Sequence, residues 1–477
     1  MDNPEQFPAN DRPLDDDPFS LENGRFATPP SPQPLETEPL PKNRRSCWIS
    51  GIALLVIFSL VASGLLNLLW AGGELVANWS PPWLTPTPSL AEAGRIAYVA
   101  GNGQIYTVQP DGENGRQLTD SRFPYQFPAW AAVGKQLAAI GNGNIMLMVD
   151  AEERSPRLLY EGNRQHPFYL YWSPDGSQLS FLSNSPQGMA LRVLPMDGSS
   201  AAAVWGTGSP FYWNWLDDSR HMLVHTGMGS TEAQLGILQA DGQLEEIAPP
   251  GSFQAPGVSA NGRYWAYAEE REDDGSWLVV HDTENGEQWS ERHPAVAALS
   301  WSPTADQLAF STGLQNRNSF WGPLRLFDTK TEEVRLLSDN RVLAFFWSPN
   351  GRYLATINTG NFEQDFGINV ADSYDSKRSP QAKTSSQLHP HQFNLAIIDV
   401  ETGAETQLMR FFPTVIFIGQ FLPFFDQYAL SHSIWSPNSD ALVLPIRQEG
   451  QSRVKVIRVD GSEVFDLGEG DMAFWSR

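Results

Sequence analysis

Trp172-Ser-Pro-Asp-Gly-Ser-Gln-Leu-Ser-Phe-Leu-Ser183 is the stretch on which the fold turns. Pro fixes φ and Gly permits a positive φ, so Ser-Pro-Asp-Gly reads as a tight turn. Apolar and polar residues then alternate with period two, which reads as strand. The stretch recurs as Trp301-Ser-Pro-Thr-Ala-Asp, Trp347-Ser-Pro-Asn-Gly and Trp435-Ser-Pro-Asn-Ser-Asp. Degenerate copies begin at Trp130, Trp215 and Val258, and a last one begins at Trp475. Successive starts lie 42, 43, 43, 43, 46, 88 and 40 residues apart. All but one suit the four-stranded blade of a propeller.

A second motif, an apolar strand closing on Asp or Asp-Gly, repeats independently. It runs over Ile105–Gly112, Ile145–Asp150, Leu191–Gly198, Leu235–Gly242, Leu278–Asp282, Leu324–Asp328, Leu395–Asp399 and Val454–Gly461. The first copy lacks a preceding Trp strand, and the Trp475 copy has nothing after it. Together they make one blade, closing a ring and removing free sheet edges. The expected fold is all-β, a propeller of eight four-stranded blades over residues 91–477, the closing blade shared by the two ends. Seven blades is the alternative if one degenerate repeat is not a blade. The Trp at 130, 172, 215, 301, 347, 435 and 475 are expected to pack between blades as core rather than to line a ligand channel.

These repeats resemble the TolB-like (WD40-like) β-propeller family, on Trp172-Ser-Pro-Asp-Gly-Ser-Gln-Leu-Ser-Phe, its sister copies, and Asp-Gly strands such as Val456-Ile-Arg-Val-Asp-Gly461. The resemblance covers residues 91–477 and implies a fold, not a function. The additional N-terminal α/β domain of TolB is not recognisable here, so its periplasmic partners are not carried over.

Residues 1–46 hold ten Pro, nine acids and five bases without apolar periodicity, and read as a disordered acidic cytoplasmic tail. Residues 47–71 read as one transmembrane helix. No charge falls between Ser46 and Gly73, and Trp48 and Trp70 bracket the apolar run. Lys42, Arg44 and Arg45 precede it, which places the N-terminus in the cytoplasm and the propeller outside, as an uncleaved signal-anchor in a single-pass inner membrane protein of bacterial type. Residues 72–90 read as a Pro-rich stalk.

Two insertions explain the interval of 88 residues. One, 361–392, is polar. The other, 411–428, reads Phe-Phe-Pro-Thr-Val-Ile-Phe-Ile-Gly-Gln-Phe-Leu-Pro-Phe-Phe-Asp-Gln-Tyr. Both are expected on one face of the propeller. Aromatic residues are enriched at binding hot spots. Phe411, Phe412, Phe417, Phe421, Phe424, Phe425 and Tyr428 are therefore the candidate partner-binding residues. Burial of the segment against its own blade is the equal alternative.

Composition excludes several classes. A single Cys, Cys47, precludes an internal disulfide or a Cys-based metal site. A net charge of −23 argues against a nucleic-acid partner. No Gly-x-Ser-x-Gly elbow, His-Glu-x-x-His pair or phosphate-binding loop occurs. No metal, cofactor or catalytic residue is assigned. The expected function is a non-catalytic protein-binding scaffold at the cell envelope. A hydrolase with a channel active site and a transmembrane sensor are the alternatives.

Overall fold

The computed structural model describes residue 90 and residues 93–476, apart from 133–134, 151–155, 187, 228–231, 253, 272–274, 294–295, 314–320 and 360–391. The tail, the membrane helix, nearly all of the stalk and nearly all of the 361–392 insertion lie outside the described residues. Among the described residues no helix is long and apolar enough to cross a membrane.

The chain is all-β and is built from four-stranded antiparallel sheets, each strand pairing with the next in sequence. Tyr125–Trp130, Gln136–Gly141, Asn144–Val149 and Arg157–Tyr160 make one sheet. Pro167–Trp172 to Ala203–Gly208, Phe211–Trp215 to Leu244–Glu246, and Gly257–Val258 to Gln288–Arg292 bound three more. The remaining strands form a continuous hydrogen-bonded run, because three strands each pair into two sheets: Glu405–Pro413 joins Phe393–Asp399 to Ala441–Gln448 through Phe412 and Pro413, and two longer strands do the same. In Glu333–Trp347, residues 333–338 pair with Gly322–Asp328 and residues 342–347 pair with Tyr353–Asn358. In Val464–Trp475, residues 464–469 pair with Gln451–Arg458, and the end turns to Ile96–Ala100. Ile96 stands opposite Trp475 and Tyr98 opposite Ala473, so the last strand lies beside the first.

The repeated residues have local reasons. Ser173 is fully buried; its hydroxyl accepts from the Gln178 N–H at 3.0 Å and donates to Asp175 at 2.6 Å. Ser259, Ser348 and Ser436 accept in the same way from Tyr264, Tyr353 and Ala441. A hydroxyl that closes a turn over backbone N–H groups is tolerated in the interior. Where Gly176 and Gly351 take φ near +70°, the Trp215 and Trp435 copies carry Ser219 and Ser439 at +55° and +62°. Each of these Ser hydroxyls accepts from the preceding turn, from the Asp175 and Asn350 N–H groups respectively. The left-handed conformation there is offset by a bond between sheets.

The motif Trp residues bridge neighbouring sheets. The Trp172 indole N–H donates to the Ala129 carbonyl at 3.0 Å, Trp347 to Ser300 at 3.0 Å, Trp435 to Phe346 at 2.9 Å and Trp130 to Phe474 at 3.1 Å. Each acceptor is the residue just before the preceding copy's Trp. Trp215 reaches the equivalent carbonyl by relay: it donates to the Ser180 hydroxyl, which donates to Tyr171. The Val258 copy lacks a Trp. There Gly257 lets Trp301 approach so closely that a Cβ would lie 2.9 Å from its indole. Between the sheet that joins the two chain ends and the sheet beginning at Tyr125, the buried Asp150 carboxylate is paired with Arg95 and Arg116 and accepts from the Thr107 hydroxyl.

Candidate functional site

The aromatic segment enters the centre of the molecule. Pro413 ends the strand Glu405–Pro413, and the buried Thr414 hydroxyl accepts from the Phe417 N–H at 3.3 Å. A wide helical turn, Phe417–Phe421, follows. A tighter turn, Leu422–Phe424, carries Pro423, and Phe425–Ser431 is a short α-helix. These elements fill the space enclosed by the inner strands. Phe421 packs on Phe346 at 5.9 Å, on Tyr428 at 5.1 Å and on Phe474 at 5.7 Å. Phe425, 0% exposed, meets Phe345 and Phe346 edge-on. Tyr428 stacks on Phe127 and meets Tyr169 edge-on. Phe127, Tyr169, Phe345 and Phe474 belong to the inner strands of four different sheets.

The segment is therefore a plug, and most of the candidate residues point into it. Phe411, Phe417, Phe421, Phe425 and Tyr428 are buried, while Phe412 and Phe424 are half-buried. The expectation that the segment stands out from one face is corrected for these five: aromatic surface is lost from water by packing on the chain's own inner strands. Val415 is 70% exposed.

Polar side chains fasten the plug, and aromatic content gave no hint of them. The Gln427 amide imitates a strand: its oxygen accepts from the Trp213 N–H at 3.0 Å and its nitrogen donates to the Trp213 carbonyl at 2.9 Å. A free inner strand edge is thus satisfied by one side chain. The Tyr169 hydroxyl donates to the Gln427 carbonyl and lies 2.7 Å from the Ser431 hydroxyl, itself 2.6 Å from His432 Nδ1. Burial pushes the Tyr169 phenol well above its ordinary range. Asp426, the segment's single charge, is buried and accepts from the Ala255 N–H at 3.3 Å and the Gln427 N–H at 2.9 Å. Desolvation dominates these two bonds, so its carboxyl is pushed up to about 6. Ser431 and His432 are neighbours in sequence and both are buried. The bonds around them hold the plug in place. Among the described residues no cluster of three or more His, Cys, Asp or Glu is placed to hold a metal.

The fold has counterparts among solved structures. The chain is similar to the dihydro-heme d1 dehydrogenase NirN in complex with DHE, at 12% identity over 87% of this chain and 85% of that one, with a TM-score of 0.51. It is also similar to TolB from Acinetobacter baumannii, at 15% identity over 82% and 69%, with a TM-score of 0.38. A prolyl endopeptidase matches at 9% identity over 74% and 50%, with a TM-score of 0.48. The NirN likeness speaks for the fold alone, and the two weaker ones carry no argument. No family model and no curated protein matches the chain. With the four-stranded sheets, the NirN likeness makes this an all-β chain of β-propeller fold.

Proposed function

We propose that residues 91–477 form an eight-bladed propeller held outside the cytoplasm by one N-terminal membrane helix, and that it is a non-catalytic protein-binding scaffold at the cell envelope. The count of eight rests on reading Glu333–Trp347 and Val464–Trp475 as outer strand of one blade and inner strand of the next. The membrane helix rests on the uncharged run bracketed by Trp48 and Trp70, with the basic residues before it.

The observation that carries the non-catalytic reading is the plug. Propeller ligand sites are concave, and an axial active site needs an open axis. Here Phe421, Phe425, Gln427 and Tyr428 occupy it. A partner would therefore meet the outer surface, including the open parts of Phe412 and Phe424 and the exposed Val415.

The test is a pair of measurements on the full chain. A photo-crosslinker at Val415 is expected to trap a discrete partner in intact cells, while the purified chain turns over nothing in a broad hydrolase panel. Turnover abolished by Ser431→Ala would overturn the non-catalytic reading. For topology, a Cys at Ser80 in a Cys47→Ser background should react with an impermeant maleimide in intact cells. Reaction of a Cys at Ser20 instead would reverse the orientation.

A further inference from the structure

Outer strands leave a row of backbone N–H and C=O groups open, and proteins guard such edges with charge. Arg157, Glu245, Glu291, Glu333, Glu405 and Asp466 stand on six of them here. Ala203–Gly208, reading Ala-Val-Trp-Gly-Thr-Gly, carries none. No charged residue occurs from Gly198 to Leu216, in a domain with a surplus of acids. The strand is the terminal one of its sheet, bonded to Gly188–Pro195 on one side. Ala203, Val204 and Thr207 are exposed.

A cavity of about 370 Å³ lies against the same strand, between it and the sheet beginning at Phe211. Its inner wall is apolar, from Trp205, Phe211 and Val224, all buried. Val204, Thr207 and Gln234 reach its mouth and are exposed. Its lining includes no charged side chain. The volume falls at the small end of ligand pockets and holds one large apolar side chain.

We propose that the edge Ala203–Gly208 is a strand-addition site for an extended, uncharged peptide segment of a partner protein, whose aliphatic or aromatic side chain enters the adjacent cavity. Main-chain bonds to an open edge supply affinity and a side-chain pocket supplies selectivity. The missing charge gives the partner its chemistry. A basic peptide finds no carboxylate on this strand, and an acidic one is repelled by the domain's surplus of acids. The proposal rests on the scaffold reading for the kind of partner, but not on the membrane topology.

The probe is a fluorescein-labelled, end-blocked hexapeptide alternating threonine with valine or leucine, titrated by anisotropy against the full chain in detergent. Saturable binding is expected, weakened at least about tenfold by Val204→Lys and by Thr207→Lys, which place the missing charge on the edge. Leu158→Lys, on a different outer strand, should leave binding unchanged. Both exposed sites accept lysine without loss of folding, checked by an unchanged melting temperature. Absent binding, or binding indifferent to both lysines, would overturn the proposal. A chain dimer that Thr207→Lys dissolves, without peptide binding, would overturn it in favour of a second copy as occupant. Peptide failure with an intact Val415 crosslink would leave the scaffold reading standing. Hydrolytic turnover would bring that reading down instead.

Discussion

Asp426→Asn should strengthen this protein at neutral pH. The carboxyl sits at the centre of the plug with two N–H donors, and its folded-state pKa of about 6 exceeds the ordinary 3.8. A group whose folded pKa is raised holds its proton more tightly in the folded state. Its ionisation therefore opposes folding above about pH 6, and that penalty fades as the pH falls towards the unfolded value. The gap between about 6 and 3.8, at about 1.4 kcal/mol per pH unit, makes the full penalty about 3 kcal/mol. Asn keeps an oxygen for the Ala255 and Gln427 N–H groups and removes the charge. The assay is urea denaturation of residues 91–477, wild type against variant, at several pH values. The variant should be more stable by up to about 3 kcal/mol at pH 7.5, with the advantage gone near pH 3.5. A variant weaker than wild type at pH 7.5 would refute the reasoning, because it would mean the carboxylate is better served than water serves it.

Other outcomes follow from the same physics. His225 is buried and its imidazole is pulled down to about 4. It should remain neutral through pH 5 by NMR titration and withdraw about 3 kcal/mol of stability between pH 6.5 and 4; a midpoint near 6.5 would contradict its burial. Trp435→Phe leaves the Phe346 carbonyl without its donor, whereas the Trp301 indole nitrogen has no bonding partner among the described residues. Trp435→Phe should therefore cost roughly 1–2 kcal/mol more than Trp301→Phe in denaturant unfolding. Asp150→Ala removes the carboxylate that ties Arg95 and Arg116 to the next sheet; Arg95 keeps its bonds to Thr107 and Asn114, so the loss should be about 2–3 kcal/mol, with faster proteolysis near residue 95. Gln427→Leu removes both bonds to the Trp213 backbone at the axis and should cost about 2–4 kcal/mol by the same measurement.

The repeat was legible because its physics is local. A turn needs Pro and Gly, a strand alternates, and Ser173 and its sisters serve N–H groups five residues on. The partners of Trp172, Trp347 and Trp435 were not legible, since each acceptor lies in another repeat. The plug was legible only as aromatic content. Its three short helical pieces have different periods, and Gly419 and Pro423 interrupt any single helical stripe. An aromatic run destined for a partner and one destined for the molecule's own axis look alike in sequence. Gln427 and Asp426 distinguish them, but only once Trp213 and Ala255 are seen opposite.

The seam between first and last strands has a kinetic side. Arg95 and Ser476 exchange hydrogen bonds although 381 residues separate them. Closing so long a loop comes late in folding, since its entropy is spent before any contact rewards it. Until the 472–475 strand has been synthesised, Ile96–Ala100 has no partner on that side and remains an adhesive edge. The nascent chain therefore passes through a long interval as an open arc, and its vulnerability to misassociation is set by the wait for its final strand rather than by the stability of the finished ring.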